Sequence, residues 1–390
     1  MPKSYFSRAV GGAYINRQYS NSWAIAGFWY ATLFSLSFPV GISVKSQDIE
    51  RCHMSWRVIA IVVLLSTLSP AEDLPAPAPR PLGKLIDLGG YKLHLYCTGK
   101  GRRTVVFSNG AGDFSFDWYL VQTKISQFAR VCSYDRGGEA WSDLGPKPHT
   151  VFQEAHDLAR LLRRAHEKGP FIIVGQSSGS TIARAFWQEY PSQVAGLVLV
   201  DGSHEDGRLF INGKLVRLRD LTKNRPIPPV RDSITESDKL TKDDLARINA
   251  MVQQYDIKPE IDSPFDKLPL DVQKMRLWAL ALPSHFVAMD NDYGPEEGAL
   301  MYDTRHKAEH PLGSLPVIVL SRSRNEYPKR VAEQMTREHE AQQADLASLS
   351  ENSKQIVVPD SGHHIQLDQP DAVVDAIRQF TSGGRHVKLN

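Results

Sequence analysis

Residues 171–191, FIIVGQSSGSTIARAFWQEYP, constrain the fold more than any other stretch of the chain. An apolar run of the kind buried in a sheet passes within a few residues into a helix-forming segment, so strand, sharp turn and helix follow one another with Ser177 at the turn. A turn this tight tolerates only small neighbours, and Gly175 and Gly179 stand two residues to either side of the serine. The spacing is that of the GxSxG nucleophile elbow. Gly and Ser are common enough for five residues to match by chance, so the pattern gains weight only from its flanking elements and from partners elsewhere.

From Gly83 onward the chain repeats this alternation. Short apolar or alternating runs at 83–88, 91–97, 104–108, 130–134, 171–175, 196–201, 316–321 and 354–358 are strand candidates, the first two joined by the hairpin signal Gly89-Gly90. Helical patterns separate most of the others: 150–168 with Phe152, Leu158, Leu161 and Leu162 on one face, 179–190, and 370–380 with a proline at its start. Such alternation predicts an α/β fold with an eight-stranded, mostly parallel sheet and helices on both faces. The interval 204–310 after the sixth strand is too long for a loop. Thr241 with Asp244 makes a capping-box variant ahead of Leu245, Ile248, Met251, Val252 and Tyr255, and VQKMRLWALAL follows at 272–282. We read 204–310 as a helical cap inserted after strand six, with 83–203 and 311–390 as the core.

The N-terminal eighty residues differ from the rest. Residues 1–47 contain no Asp or Glu, carry Lys3, Arg8 and Arg17, and include an apolar stretch at 23–42. A second apolar run at 58–68 follows MSWR and precedes Ser69-Pro70-Ala71, the three parts of a secretory signal. Residues 54–71 are therefore expected to be a signal peptide starting at Met54. Residues 1–53 are then an extension that is either untranslated or a membrane segment, an organelle transit peptide being the third reading. Residues 72–82, containing PAPAPRP, form a proline-rich linker. The expected location is the periplasm or the extracellular space, with membrane attachment only through the N-terminal segment. At 390 residues, 42% hydrophobic and 23% charged, the chain can bury a full core, and 46 Lys plus Arg against 44 Asp plus Glu leave no basic field for nucleic acid. The three cysteines show no CxxC spacing, so no structural metal site is expected.

A serine hydroxyl needs a base to become a nucleophile at neutral pH. His363, in VVPDSGHHIQLDQP, lies between the last strand candidate and the last helix, where the loop faces the same sheet edge as the elbow. With these residues in view, 91–380 resembles the α/β-hydrolase superfamily, in its esterase- and lipase-like serine hydrolase branch. The similar motifs are YCTG, YDRGG, GQSSG, VLVDGSHED and SGHHIQLDQP, in that order.

The resemblance implies that Ser177 is the nucleophile, His363 the base and His364 a supporting neighbour. It implies an oxyanion hole made by the backbone N–H groups of Ser178 and of Ala111, in the SNGAG loop after TVVFS. Asn109 stands where many relatives have histidine, and Ala140 where glycine is usual. The acid departs from the commonest pattern: PVIVLSRSRNEYP has Asn325 where an aspartate is expected, and an amide cannot stabilise an imidazolium by charge. Asp201, after strand six, is the preferred alternative; Glu326, and then Glu205 or Asp206, remain open. A strand-terminal aspartate that merely caps local amides is the competing reading of Asp201. Asp135 and Arg136 are expected to tie loops together, and Trp141 either lines the pocket or packs. Cys97 and Cys132 would sit on neighbouring antiparallel strands, as a disulfide or as two buried thiols.

The implied activity is a cofactor-independent serine hydrolase acting on a carboxylic ester or related small-molecule acyl substrate, with no metal. Dehalogenase and epoxide hydrolase chemistry is disfavoured because Ser177 replaces its usual aspartate nucleophile. The alternative is a non-catalytic ligand-binding or scaffolding protein on the same fold.

Overall fold

The computed structural model describes residues 78–390 except 212–213, 218, 221–225, 291–297, 299–300, 302–303, 382–386 and 390. The N-terminal extension 1–53, its apolar stretch 23–42, the signal candidate 54–71 and most of the linker 72–82 lie outside the described residues. Among the described residues no helix is long and apolar enough to cross a membrane.

In chain order the elements are β1 (Lys84–Asp87), β2 (Lys92–Thr98), β3 (Thr104–Ser108), α1 (Tyr119–Ile125), β4 (Arg130–Tyr134), α2 (Val151–Arg164), β5 (Phe171–Gln176), α3 (Ser178–Glu189) and β6 (Val194–Val200). Next come β7 (Arg208–Ile211), β8 (Lys214–Arg217), α4 (Lys242–Tyr255), α5 (Leu270–Leu280) and α6 (Pro283–Asp290). The chain then returns to the sheet with β9 (Val317–Arg322), α7 (Ala332–Ala347), β10 (Ser353–Val358), α8 (Ile365–Asp368) and α9 (Pro370–Thr381). The main sheet has eight strands in the order β1-β2-β4-β3-β5-β6-β9-β10. Only the β1–β2 and β2–β4 pairs are antiparallel. The alternation predicts this mostly parallel eight-stranded sheet, and the motif resemblance implies the α/β-hydrolase fold that it forms.

Strand periodicity explains both layers of core. Val106, Ile173, Leu197, Leu199, Val317 and Val319 point to one face, where Leu158 and Leu161 of α2 and Ile182 and Phe186 of α3 cover them. Their neighbours Val105, Phe107, Ile172, Val174, Val198, Ile318 and Leu320 point to the other, under Val121 and Ile125 of α1 and Val373, Ile377 and Phe380 of α9. Each such side chain, fully buried, stabilises by roughly 1.5–3 kcal/mol, which is why the central strands read as continuous apolar runs. Thr150 starts α2 by accepting the Gln153 N–H at 3.0 Å. At the other side of the sheet Cys97 and Cys132 lie opposite each other across the β2–β4 ladder and are joined as a disulfide.

The segment between β6 and β9 carries the helices that its sequence signals announced. Thr241 and Asp244 form the reciprocal cap of α4, each backbone N–H reaching the other's side chain at 3.0 Å. Ile248 is buried, and Met251 and Val252 pack with it against Phe286 and Val287 of α6. The segment is not all helix: β7 and β8 pair as an antiparallel ribbon. In the sequence RLFI and KLVR flank the hairpin dipeptide Asn212-Gly213, so the interval 204–310 departs here from the helical cap expected of it.

Candidate active site

The site forms where β5, β6 and β9 end. Ser177 takes φ 50° and ψ −123°, a conformation that costs a non-glycine residue about 1–3 kcal/mol and persists only when its surroundings fix it. Here the Ser177 N–H donates to Val200 O at 3.1 Å, and the Ser203 N–H donates to Ser177 O at 3.0 Å. A Cβ on Gly175 would lie 2.4 Å from Gly179 O, and one on Gly179 would lie 2.1 Å from Ser108 O. Both glycines are therefore needed for the helix to start so close to two strands. Ser177 is only partly buried and stays reachable, whereas Ser178 is buried as the first residue of α3. Amides in the first turn of a helix have no intrahelical acceptor and sit at its positive end.

Asp201 follows β6 directly, with a left-handed φ of 42°. Its backbone N–H continues the β6–β9 pairing by donating to Leu320 O at 2.7 Å, which turns the side chain out of the ladder. The Asp201 Oδ2 lies 2.6 Å from His363 Nδ1, across 162 residues of sequence. That hydrogen bond puts the proton on Nδ1 and leaves Nε2 as the basic nitrogen of the neutral ring. Gln176, next to Ser177, donates from Nε2 to His363 O at 3.4 Å, so the elbow also touches the main chain of the histidine loop.

Burial alone would push the Asp201 carboxyl up. Contacts from His339 and His363 and the charge of Arg322 more than reverse this and hold it well below the usual carboxylate range. His363 is shifted down: its own burial lowers it, Asp201 opposes, and His364 and Arg322 lower it further. An unprotonated imidazole beside an ionised carboxylate is the arrangement a general base requires.

The other acidic candidates are engaged elsewhere. Glu326 accepts the backbone N–H of His363 through Oε2 at 3.0 Å, clamping the loop that carries the ring. Glu205 is buried against Arg184 at 2.7 Å, and Asp206 binds Arg219 at 2.6 Å. Asn325 accepts the Tyr327 N–H at 2.9 Å and shapes the turn after β9. His364 stands edge-on to His363, with ring centres 5.3 Å apart, and places its own Nε2 3.3 Å from Asp113 Oδ2.

Ala111 is exposed in the loop after β3. That loop is braced from two sides: Asn109 accepts the Trp118 indole N–H at 2.8 Å and donates to Tyr134 O at 2.8 Å, while Arg136 donates to Gly110 O at 3.1 Å. Asp135 accepts the Ser115 N–H at 2.7 Å and lies 2.7 Å from His94 Nδ1. These two residues thus tie loops together, as their sequence context suggests. Trp141 packs among His94, Phe116 and Trp278.

Several residues at the site were not anticipated from the sequence. Arg322 ends β9 and donates from Nη1 to Asp201 Oδ2 at 2.9 Å, and His339 of α7 places Nε2 3.0 Å from Oδ1. Arg276 of α5 reaches down to Asp113 at 3.3 Å and to Asp117, with its guanidinium 3.4 Å from the Phe265 ring centre. His285 of α6 bonds to Glu139 at 2.6 Å, both side chains being almost wholly buried. A signal existed for Arg322 alone, as a charged residue at the end of the apolar run VIVLS. Nothing local marks His339 in its polar helix.

Comparison with known proteins agrees with this architecture. The sequence pattern of the alpha/beta hydrolase family matches residues 105–376, and the chain belongs to that family. A probable transporter, efuK, of Hormonema carpetanum is 32% identical over 129 residues, which cover 31% of this chain and 18% of that protein. The chain spans less than half the length of the curated relatives it matches. An esterase from Thermogutta terrifontis superposes with a TM-score of 0.50 at 22% identity, covering 74% of this chain and 93% of its own. Est816, described as an N-acyl homoserine lactone degrading enzyme, gives 0.51 at 17% identity, covering 76% and 99%. At these identities the solved structures show the fold. Membership of the family supports a hydrolase-type enzyme.

Proposed function

We propose that the protein is a serine hydrolase that cleaves a carboxylic ester or related acyl substrate through an acyl-enzyme. Ser177 attacks the carbonyl, His363 takes the hydroxyl proton and returns it to the leaving group, and Asp201 holds the imidazole tautomer and stabilises the imidazolium. The N–H groups of Ser178 and Ala111 receive the developing oxyanion. Water then enters, His363 acts as base again, and the acid product leaves. The observation that carries this reading is the 2.6 Å contact between Asp201 and His363 at the sheet edge where the strained Ser177 turn stands. It also favours Asp201 over Glu326, which meets the main chain of His363. The disulfide, together with the signal-like residues 54–71, supports action in an oxidising compartment outside the cytosol.

The test is hydrolysis of p-nitrophenyl esters of graded chain length by the wild type and Ser177→Ala. We expect turnover of at least one ester, with a loss of about 10⁴-fold or more in the variant. Equal rates in the two proteins would remove Ser177 from the chemistry. Absence of turnover and of fluorophosphonate labelling in folded wild type would favour the non-catalytic alternative.

A further inference from the structure

The surroundings of Asp201 hold more than a hydrolytic triad needs. Its Oδ2 accepts His363 Nδ1–H at 2.6 Å and Arg322 Nη1–H at 2.9 Å. Its Oδ1 accepts the Arg322 backbone N–H at 3.2 Å and lies 3.0 Å from His339 Nε2, which is out of line for a hydrogen bond. Arg322 thus grips both carboxylate oxygens, one with its main chain and one with its side chain. The same Nη1 comes within 3.3 Å of His363 Nδ1. That nitrogen already donates its proton to Asp201, so the approach is a contact between a fixed charge and a ring, not a second hydrogen bond. The Arg322 side chain is only 4% exposed and packs its guanidinium on the Tyr327 ring, 4.8 Å from the centre.

We infer that Arg322 is a positioning residue for the proposed reaction, fixing the Asp201 carboxylate on His363 and placing a permanent positive charge beside the imidazole. This rests on the serine-hydrolase reading above. The guanidinium is too strong a base to titrate, so its effect is present at every working pH. By partly offsetting the Asp201 charge felt by the ring, it disfavours the imidazolium, and His363 stays in its basic form to lower pH than with Asp201 alone. Among the described residues, the other charged or titratable groups near His363 include His364 in its own loop, Glu326 after β9, Asp113 after β3, and His339 acting through Asp201. None of them grips Asp201 as Arg322 does.

A cleft of about 310 Å³ opens beside Arg322, which lines it together with Tyr327, Thr336 and His339 among others. It offers a route for chemical rescue, because a guanidinium ion can enter where the Arg322 side chain has been removed.

The experiment follows the second-order rate of inactivation by a fluorophosphonate against pH in wild type, Arg322→Gln, Arg322→Lys and Arg322→Ala. Arg322→Gln keeps an amide donor for Asp201 and loses the charge. Its acid limb is expected to move up by about 1–2 pH units, with a lower plateau. Arg322→Lys keeps the charge without the fork, so its limb should stay within about half a unit of wild type while the plateau falls. Guanidinium chloride at tens of millimolar should move the Arg322→Ala limb back toward wild type, and sodium chloride at equal concentration should not. If Arg322→Ala does not fold, Arg322→Gln decides the matter alone. A folded Arg322→Gln whose limb stays at the wild-type pH, with only the plateau lowered, would overturn the inference and leave Arg322 a structural residue. Reaction that persists in Ser177→Ala would instead overturn the serine-hydrolase reading, whatever the Arg322 variants do.

Discussion

Asp201 and Asp157 are both buried carboxylates within the core, and their surroundings drive them in opposite directions. Asp157, on α2, accepts the Tyr91 hydroxyl at 2.5 Å and Gln153 Nε2 at 3.2 Å, with the Arg160 guanidinium at 3.6 Å. Burial dominates there and pushes its carboxyl up to about 6 despite these partners. Asp201 loses water just as completely, yet the His363 imidazole at 2.6 Å and the Arg322 guanidinium at 2.9 Å, with the Arg322 backbone N–H at 3.2 Å, hold it ionised. The contrast shows that burial alone favours the neutral acid. Ionisation deep in the fold needs cationic or strongly donating partners at contact distance, and the sheet edge around β6 and β9 supplies them.

Substitutions at the two acids should separate chemistry from stability. Asp201→Asn removes the charge that holds His363, and ester hydrolysis should fall by roughly 10²–10⁴ in kcat/KM. A fall of less than about tenfold would make Asp201 no more catalytic than Asp157. For Asp157 the expected effect is on stability. Its pKa in the folded state lies above the unfolded value of 3.8, so its contribution favours folding below about pH 4 and is lost as the pH rises through about 6. The swing is on the order of 3 kcal/mol. Urea denaturation of Asp157→Asn at pH 4 and pH 7 should therefore show a smaller loss of stability with rising pH than the wild type. Identical pH slopes would contradict the assignment. The smallest effect is expected from Glu326→Gln, which keeps an acceptor for the His363 N–H and should cost less than about tenfold in kcat/KM. A loss matching that of Asp201→Asn would transfer the role of acid to Glu326.

Much of this fold is written locally. Runs such as FIIVGQ and VAGLVLV announce buried parallel strands because both faces of each strand meet apolar layers, and the GQSSG turn is legible because only small residues permit it. The two carboxylates at strand ends were harder to tell apart. Asp201 and Glu326 both follow a central strand, and which of them reaches the ring depends on the left-handed turn at Asp201, a feature of the assembled edge. Arg322 and His339 escaped notice because they meet Asp201 from 121 and 138 residues further along the chain, with no motif linking them to it. The β7–β8 ribbon was missed for a different reason. Its Asn212-Gly213 signal was present, but the stronger helix patterns downstream governed the reading of the whole interval.

The central claim is that Ser177 is the atom-bearing nucleophile of a hydrolase. Peptide mapping by mass spectrometry after reaction of the folded protein with a fluorophosphonate tests it most directly. The account predicts one phosphonyl group per chain, on the peptide carrying Ser177, absent from Ser177→Ala and strongly slowed in Asp201→Asn. A modification on any other residue, or the same extent of labelling in Ser177→Ala, would contradict it.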